Sequence, residues 1–395
     1  MLDKVTLKNF RSAEEAVDLR LAPITVLYGP SASGKSTLLY SLLVLKNFIQ
    51  NPNRPADNFF DLGFMNLGGF DACVLNHESE RNITIGTTFD VKSQEASYSF
   101  SFSKNAANIN FKLGDLQMHA QISLPYAINQ SFPFGYADSG EDYTINWNGI
   151  GCSVLPKKPT AETQKKAAEI TASINSVAET LKRIGIAPHR RGFFKPSYSA
   201  VTPSANPTSE DEVASIIMND PHMAARISTY MEDVFDRDFR IYTPPGTATA
   251  FLQTTEKKSR IPVNLVNDGS GIVQVVYLLA KMYQVDVDTL LIEEPEVYLH
   301  PSVVRNFAKA LCTFVQEEKK QIILTTHSES FLLALLNAVS DKLISPADIV
   351  CYLTTKSKKT TVYAEQKIEE NGQIEGGLAS FIEAETEDLK KFLKV

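Results

Sequence analysis

Gly29-Pro30-Ser31-Ala32-Ser33-Gly34-Lys35-Ser36-Thr37 fits the phosphate-cradling pattern G-x-x-x-x-G-K-[ST], and its flanks give that pattern its setting. Ahead of it, Ile24-Thr25-Val26-Leu27-Tyr28 is a β-branched and aromatic run that predicts a buried strand; behind it, Thr37-Leu38-Leu39-Tyr40-Ser41-Leu42-Leu43-Val44-Leu45 predicts a helix. Glycine lets such a loop fold with its N–H groups pointing inward, and the helix N-terminus adds the positive end of its dipole, an environment suited to the α- and β-phosphates of a nucleotide. Gly29, Ser31, Ser33, Gly34 and Thr37 would then surround the phosphates, Lys35 would reach the β/γ-phosphates, and Ser36 would supply a hydroxyl to Mg²⁺. A tight turn that needs glycine only for its shape is the plainer explanation, and it gives Lys35 and Ser36 no role.

Working outward, Thr289-Leu290-Leu291-Ile292-Glu293-Glu294-Pro295-Glu296 predicts a buried parallel strand with two carboxylates at its C-terminal end, where open α/β sheets place their ligands. Adjacent strand residues face opposite ways. Glu293 is therefore expected in the Mg²⁺ shell and Glu294 beside the γ-phosphate, orienting or deprotonating the attacking water. Gln321-Ile322-Ile323-Leu324-Thr325-Thr326-His327-Ser328 predicts another buried strand, ending in a histidine suited to sense the terminal phosphate. A further glycine-rich helix start, Asn267-Asp268-Gly269-Ser270-Gly271, lacks a lysine but offers N–H groups to an anion through Asn267, Gly269 and Ser270. One chain cannot readily close two phosphate loops on one nucleotide, so the expected arrangement is a homodimer that sandwiches two ATP molecules.

The 395 residues allow one large or two to three smaller domains, and 43% apolar with 22% charged residues is the make-up of an ordinary globular protein. A net charge of -7 gives no support for a broadly basic nucleic-acid surface. No secretory apolar segment opens the chain and no apolar run approaches membrane-spanning length, so no membrane segment and a cytoplasmic location are expected. Cys73, Cys152, Cys312 and Cys351 form no CxxC pair and read as buried thiols.

Lys4 to Phe10 alternates as a strand, with Asp18 to Leu21 a candidate partner. Between Asn82 and Val154, short alternating segments at 83–89, 96–102, 109–113, 118–124 and 143–147 predict antiparallel hairpins, with Trp147 as a packing residue rather than a base-stacking platform. Lys157 to Arg183 predicts a long alanine-rich helix, a candidate arm or lid. After it, Arg190, Arg191 and Lys195 mark a basic loop that either contacts phosphates or is simply solvated, and 210–237 predicts helix restarted at Pro221. The expected division is 1–155 and 261–395 as the two halves of a nucleotide-binding head, with 156–260 a helical insert or arm.

Taken together, the motifs resemble the ABC-type ATPases, and in particular the RecF/SMC-like branch and the ATPase part of the OLD family. Gly29 to Thr37 resembles a Walker A motif, Leu290 to Glu294 a Walker B strand with its catalytic glutamate, Asn267 to Ser270 a signature motif, and Thr326-His327-Ser328 a histidine switch; Lys8 to Arg11 and Glu293 to Pro301 are similar to the same branch. The resemblance implies an α/β P-loop NTPase with an ABC-type head, a mixed central sheet, an antiparallel β meander and a helical insert. It implies Mg²⁺-dependent ATP hydrolysis, ATP-gated dimerisation, a D-loop at Glu296 to His300, and a partner in DNA repair, chromosome organisation or phage defence. Asn267 stands where a signature serine is usual and Glu293 where aspartate is commoner, and no Q-loop glutamine is found between Asp57 and Glu80. The tail after His327 is too short for the TOPRIM nuclease domain of OLD proteins, and Glu383 to Asp388 reads as a solvated helix face, so any DNA cleavage is expected from a nuclease partner. A nucleotide-gated scaffold with little turnover and the ATPase subunit of a transporter are the alternatives.

Overall fold

The structure, a computed structural model, describes residues 1–375 and 377 except 92 and 128. The segment 383–388 therefore lies outside the described residues. In chain order the fold runs β1 (Leu2–Lys8), β2 (Val17–Arg20), β3 (Ile24–Tyr28), α1 (Lys35–Gln50), α2 (Phe70–Cys73), β4 (Ile83–Val91), β5 (Gln94–Phe102), β6 (Ala106–Leu113), β7 (Leu116–Ser123), β8 (Phe132–Asp138), β9 (Glu141–Trp147) and β10 (Cys152–Pro156). Then come α3 (Ala161–Lys182), β11 (Ile184–Ala187), β12 (Tyr198–Ser199), α4 (Glu210–Asn219), α5 (Pro221–Phe235), β13 (Arg237–Tyr242), β14 (Thr249–Glu256), β15 (Pro262–Asn264) and α6 (Ser270–Tyr283). The remainder alternates: β16 (Thr289–Glu293), α7 (Pro301–Glu318), β17 (Gln321–Thr326), α8 (Glu329–Ser340), β18 (Ile349–Ser357) and β19 (Thr360–Gln366). The chain folds as two compact units, one of Met1–Leu21, Ser36–Ile184 and Thr355–Tyr363, the other of Ala22–Lys35, Gly185–Thr354 and the segment from Ala364.

The first unit holds an antiparallel six-stranded sheet, β2-β1-β4-β5-β6-β7, and a three-stranded sheet, β10-β9-β8. Period-two alternation in β5 buries Tyr98, Phe100 and Phe102, and Phe48 of α1 stacks on Phe100 with ring centroids 3.8 Å apart. Trp147 is fully buried between Phe111 and Phe134, so it is a packing residue. Two strands were not anticipated. β8 carries Pro133 and Gly135, which suppress a strand signal and are tolerated because β8 lies at a sheet edge; β10 is a five-residue edge strand ending in Pro156. α3 begins at a capping box between Thr160 and Thr163 and buries Ala167, Ile174, Val177 and Leu181, while the Asn175 amide exchanges hydrogen bonds with the Cys152 backbone of β10.

The second unit is built on the sheet β11-β16-β17-β3-β18-β19, in which β16, β17, β3 and β18 run parallel. Every residue of β3, β16 and β17 is buried, as expected for strands covered on both faces. The register sets Glu293 beside Thr325 and Thr326 beside Tyr28. Gly29, Glu294 and His327 therefore leave adjacent strands at one carboxyl edge, where a doubly wound sheet binds ligands. α6, α7 and α8 contribute their apolar faces to one continuous core with these strands, and β13, β14 and β15 form a smaller antiparallel sheet with β12.

Candidate nucleotide site

The loop after β3 is shaped by three left-handed residues, Gly29 at φ 141°, Ala32 at φ 60° and Gly34 at φ 103°. Gly29 has a second reason to be glycine: a Cβ there would stand 2.3 Å from the Thr354 carbonyl oxygen of β18. Thr354 also pins the loop. Its hydroxyl donates to Tyr28 O at 3.0 Å and lies 2.7 Å from Ser33 Oγ, which must therefore donate to it. The Ser33 side chain thus faces the interior, whereas Ser31 is exposed. Ser36 and Thr37 follow in the first turn of α1, and Thr37 hydrogen-bonds the Tyr363 phenol.

Lys35 is buried, and Nζ donates to Gly29 O at 2.9 Å and Pro30 O at 2.8 Å. It also lies 3.3 Å from His327 Nδ1. An ammonium only donates, so Nδ1 accepts and the His327 proton sits on Nε2, which is 3.0 Å from Glu294 Oε1. A chain of donors thus runs from Lys35 through His327 to Glu294. Burial lowers the Lys35 pKa to about 8 against the opposing pull of Glu294 and Glu296. Glu296 sets the histidine in place: its Oε1 accepts from the Thr326 hydroxyl at 2.7 Å and from His327 N–H at 3.0 Å.

Glu293 is buried and Glu294 half-buried, as their opposite facing predicts. Glu293 Oε2 accepts from the His189 backbone N–H at 3.1 Å, and Glu294 Oε2 lies 3.1 Å from His189 Nδ1. The basic loop is not one surface. Arg190 is exposed, Lys195 pairs with Asp211 at 2.5 Å, and Arg191 is only 3% exposed. This corrects the solvated-loop expectation for Arg191, whose guanidinium donates to Glu293 O at 2.6 Å, Glu294 O at 2.8 Å and Pro188 O at 2.9 Å. Burial pushes its pKa down to about 10, opposed by Tyr277, Glu296, Glu293 and Glu294. The sequence thus left Thr354, His189 and Glu296's bond to the histidine out of the site, and offered Arg191 only as one member of a basic loop.

The second glycine loop stands apart from this chain of donors. Asn267, Gly269 and Ser270 are exposed, with no hydrogen bond or ion pair to Lys35, Glu294 or His327 among the described residues. Asp268 anchors the loop, accepting from Gly269 N–H at 2.9 Å, from Arg237 at 3.4 Å and from the Thr254 hydroxyl. Among the described residues no cluster of three or more His, Cys, Asp or Glu is arranged to hold a metal. All four cysteines are free thiols, three of them buried and Cys152 half-buried. Among the described residues no helix is long and apolar enough to cross a membrane.

The chain is 24% identical over 344 residues to an OLD nuclease of Thermus scotoductus, covering 84% of this chain but 60% of that protein, so it spans about three-fifths of the relative's length. Among solved structures, the SMC head bound to the C-winged helix domain of ScpA superposes with a TM-score of 0.53 at 10% identity, over 93% of this chain and 99% of that one. That likeness shows the fold alone, a mixed α/β head of the P-loop, ABC type. The SMC head domain of Thermotoga maritima superposes more loosely, with a TM-score of 0.45 at 12% identity over 93% of this chain and 99% of that one. Residues 24–334, which include both glycine loops, the carboxylate strand and the histidine strand, match the family model described as AAA domain, putative AbiEii toxin, Type IV TA system, and the chain belongs to that family.

Proposed function

We propose that this chain is a Mg²⁺-dependent ATPase head whose nucleotide cycle gates the pairing of two copies. The observation that carries the reading is the run of donors from Lys35 through His327 to Glu294, set at the carboxyl ends of three adjacent parallel strands. Lys35 supplies charge to the β/γ-phosphates, and Glu294 is the base for the attacking water, with His327 holding that carboxylate and meeting the terminal phosphate. The donor set also fits Mg²⁺: the Glu293 carboxylate and the Ser36 hydroxyl are hard oxygens, and Mg²⁺ needs only one or two of these beside phosphates and water. When bound, the ion neutralises charge on the phosphates. Asn267, Gly269 and Ser270 are exposed and untied to the catalytic carboxylate of their own chain, which supports their serving the nucleotide of a second copy. Likeness to an OLD nuclease and to an SMC head supports a DNA-processing, repair or defence partner. Asn267 keeps a second reading, a nucleotide-gated scaffold with little turnover.

Steady-state ATP turnover of wild type and Glu294→Gln, measured across a wide range of protein concentration, tests the proposal. Wild-type turnover per chain should rise with concentration, and the variant should bind ATP without turning it over. Equal rates in both proteins at every concentration sink the enzyme reading in favour of the scaffold.

A further inference from the structure

Both oxygens of Glu294 are engaged by histidines, Oε1 by His327 and Oε2 by His189. An ionised carboxylate only accepts, so His189 carries a proton on Nδ1. His327 arrives from β17, next to the strand that Glu294 ends. His189 arrives from the opposite side, on the turn that follows β11, a strand paired with β16 on its other flank. That turn is firmly mounted. Arg191 ties it to the carbonyls of Glu293 and Glu294, while Arg191 O accepts from Gln274 Nε2 of α6 at 2.6 Å. Gly192, at φ 136°, allows a close approach to α6: a Cβ there would lie 3.1 Å from Val273 Cγ1 and 3.4 Å from Gln274 Nε2. The His189 side chain itself is half exposed, and the ties that mount the turn are made by Arg191 and Gln274.

We propose that His189 is a positioning residue for ATP hydrolysis, fixing the rotamer of Glu294 from the side opposite His327; this rests on the ATPase reading above. A carboxylate held at one oxygen can still swing about that contact. Held at both, and fixed through its own backbone by Arg191, it keeps one direction toward a water. The contact needs a donor at the Nδ1 position and nothing else from the ring. Asparagine places its amide nitrogen near that position, whereas alanine places nothing there.

The test compares wild type with His189→Ala and His189→Asn. Loss of one hydrogen bond to a charged group predicts a fall in kcat of about tenfold for His189→Ala with KM for ATP unchanged, and recovery of most of that loss in His189→Asn. A second readout needs no turnover. In nitrogen-15 spectra of the protein without added nucleotide, the His189 ring should show the Nδ1-protonated tautomer and His327 the Nε2-protonated one; Glu294→Ala should abolish the first, whereas Lys35 still donates to His327 Nδ1 and keeps the second. If His189→Ala matches or exceeds wild type in kcat, or the His189 ring signals are the same in wild type and Glu294→Ala, the positioning role is overturned while the ATPase reading stands. If wild type itself fails to turn over ATP, the ATPase reading falls with its positioning role, and the tautomer spectra still decide whether His189 holds Glu294.

Discussion

Thr354 is the residue on which the shape of the phosphate loop depends most directly, and replacing it with valine isolates that dependence. The side chain is fully buried and nearly the same size as valine, so the change removes two hydrogen bonds, to Tyr28 O and from Ser33 Oγ, with little change in packing. At about 1 kcal/mol net for each bond, Thr354→Val should cost about 2 kcal/mol. Thr354→Ser keeps both bonds and loses one methyl group, at about 1 kcal/mol. The two variants therefore order oppositely under the alternative that only packing matters. The single tryptophan, Trp147, belongs to the other compact unit, so tryptophan fluorescence is the wrong probe. Hydrogen exchange of the amides from Gly29 to Lys35 reads the loop itself, and 2 kcal/mol corresponds to about thirtyfold faster exchange where opening is local. If Thr354→Val exchanges no faster than Thr354→Ser, Thr354 does not pin the loop and the argument is refuted.

Lys35 carries a pH prediction. Its pKa of about 8 lies below the ordinary 10.5, so the folded protein sheds this proton as pH rises through about 8, whereas a phosphate-bound lysine keeps it. ATP affinity should then fall by up to about tenfold per pH unit above about 8, with uptake of a proton that calorimetry in two buffers detects; a flat affinity from about pH 7 to 9.5 would contradict it. Glu212 carries the opposite sign. Burial disfavours its charge, but hydrogen bonds from Ser204 and Ser209 outweigh that and hold its pKa at about 2, below the ordinary 4.5. The stability it contributes is complete above about pH 4.5 and is lost as pH falls toward about 2, so the urea midpoint of wild type should drop more steeply over that window than that of Glu212→Gln. Asp268→Asn weakens the bonds to Arg237 and Thr254 that anchor the second glycine loop. It should cost about 1–3 kcal/mol and reduce ATP-dependent self-association in sedimentation runs, with ATP binding by the single chain unchanged.

The parts of the site that follow one another along the chain were legible in the sequence. β3 was bounded to the residue, because five apolar positions end at a glycine loop, and the strands carrying Glu293 and His327 were found by the same pattern. Pairing of β1 with β2 and the hairpins of the first unit followed from alternation, except where Pro133, Gly135 and Pro156 interrupted it. Contacts made across the sheet were not legible. Thr354 stands in β18, far along the chain from Ser33, and nothing in the residues around it says that its hydroxyl meets the loop. Arg191 misled for a related reason: three cations within six residues look like one patch, and it is the place of β11 beside β16 that turns one of them inward, against the Glu293 and Glu294 carbonyls.

That inward turn explains how the carboxylate edge tolerates its own backbone. Glu294 has φ 45°, a left-handed conformation that costs a non-glycine residue about 1–3 kcal/mol, and it does so immediately before Pro295, where the preceding residue is pushed toward extended geometry. Such a conformation persists only where the surroundings over-determine it. Here the Glu294 N–H is tied to Thr325 O at 2.9 Å, and its carbonyl accepts from Arg191 at 2.8 Å and from Val297 N–H at 3.2 Å. The direction of the Glu294 side chain is therefore set first by its main chain and only then by the two histidines. Lysine at 191 would keep the charge but not the fork that reaches Glu293 O and Glu294 O together, so the requirement is for arginine and not for a positive charge.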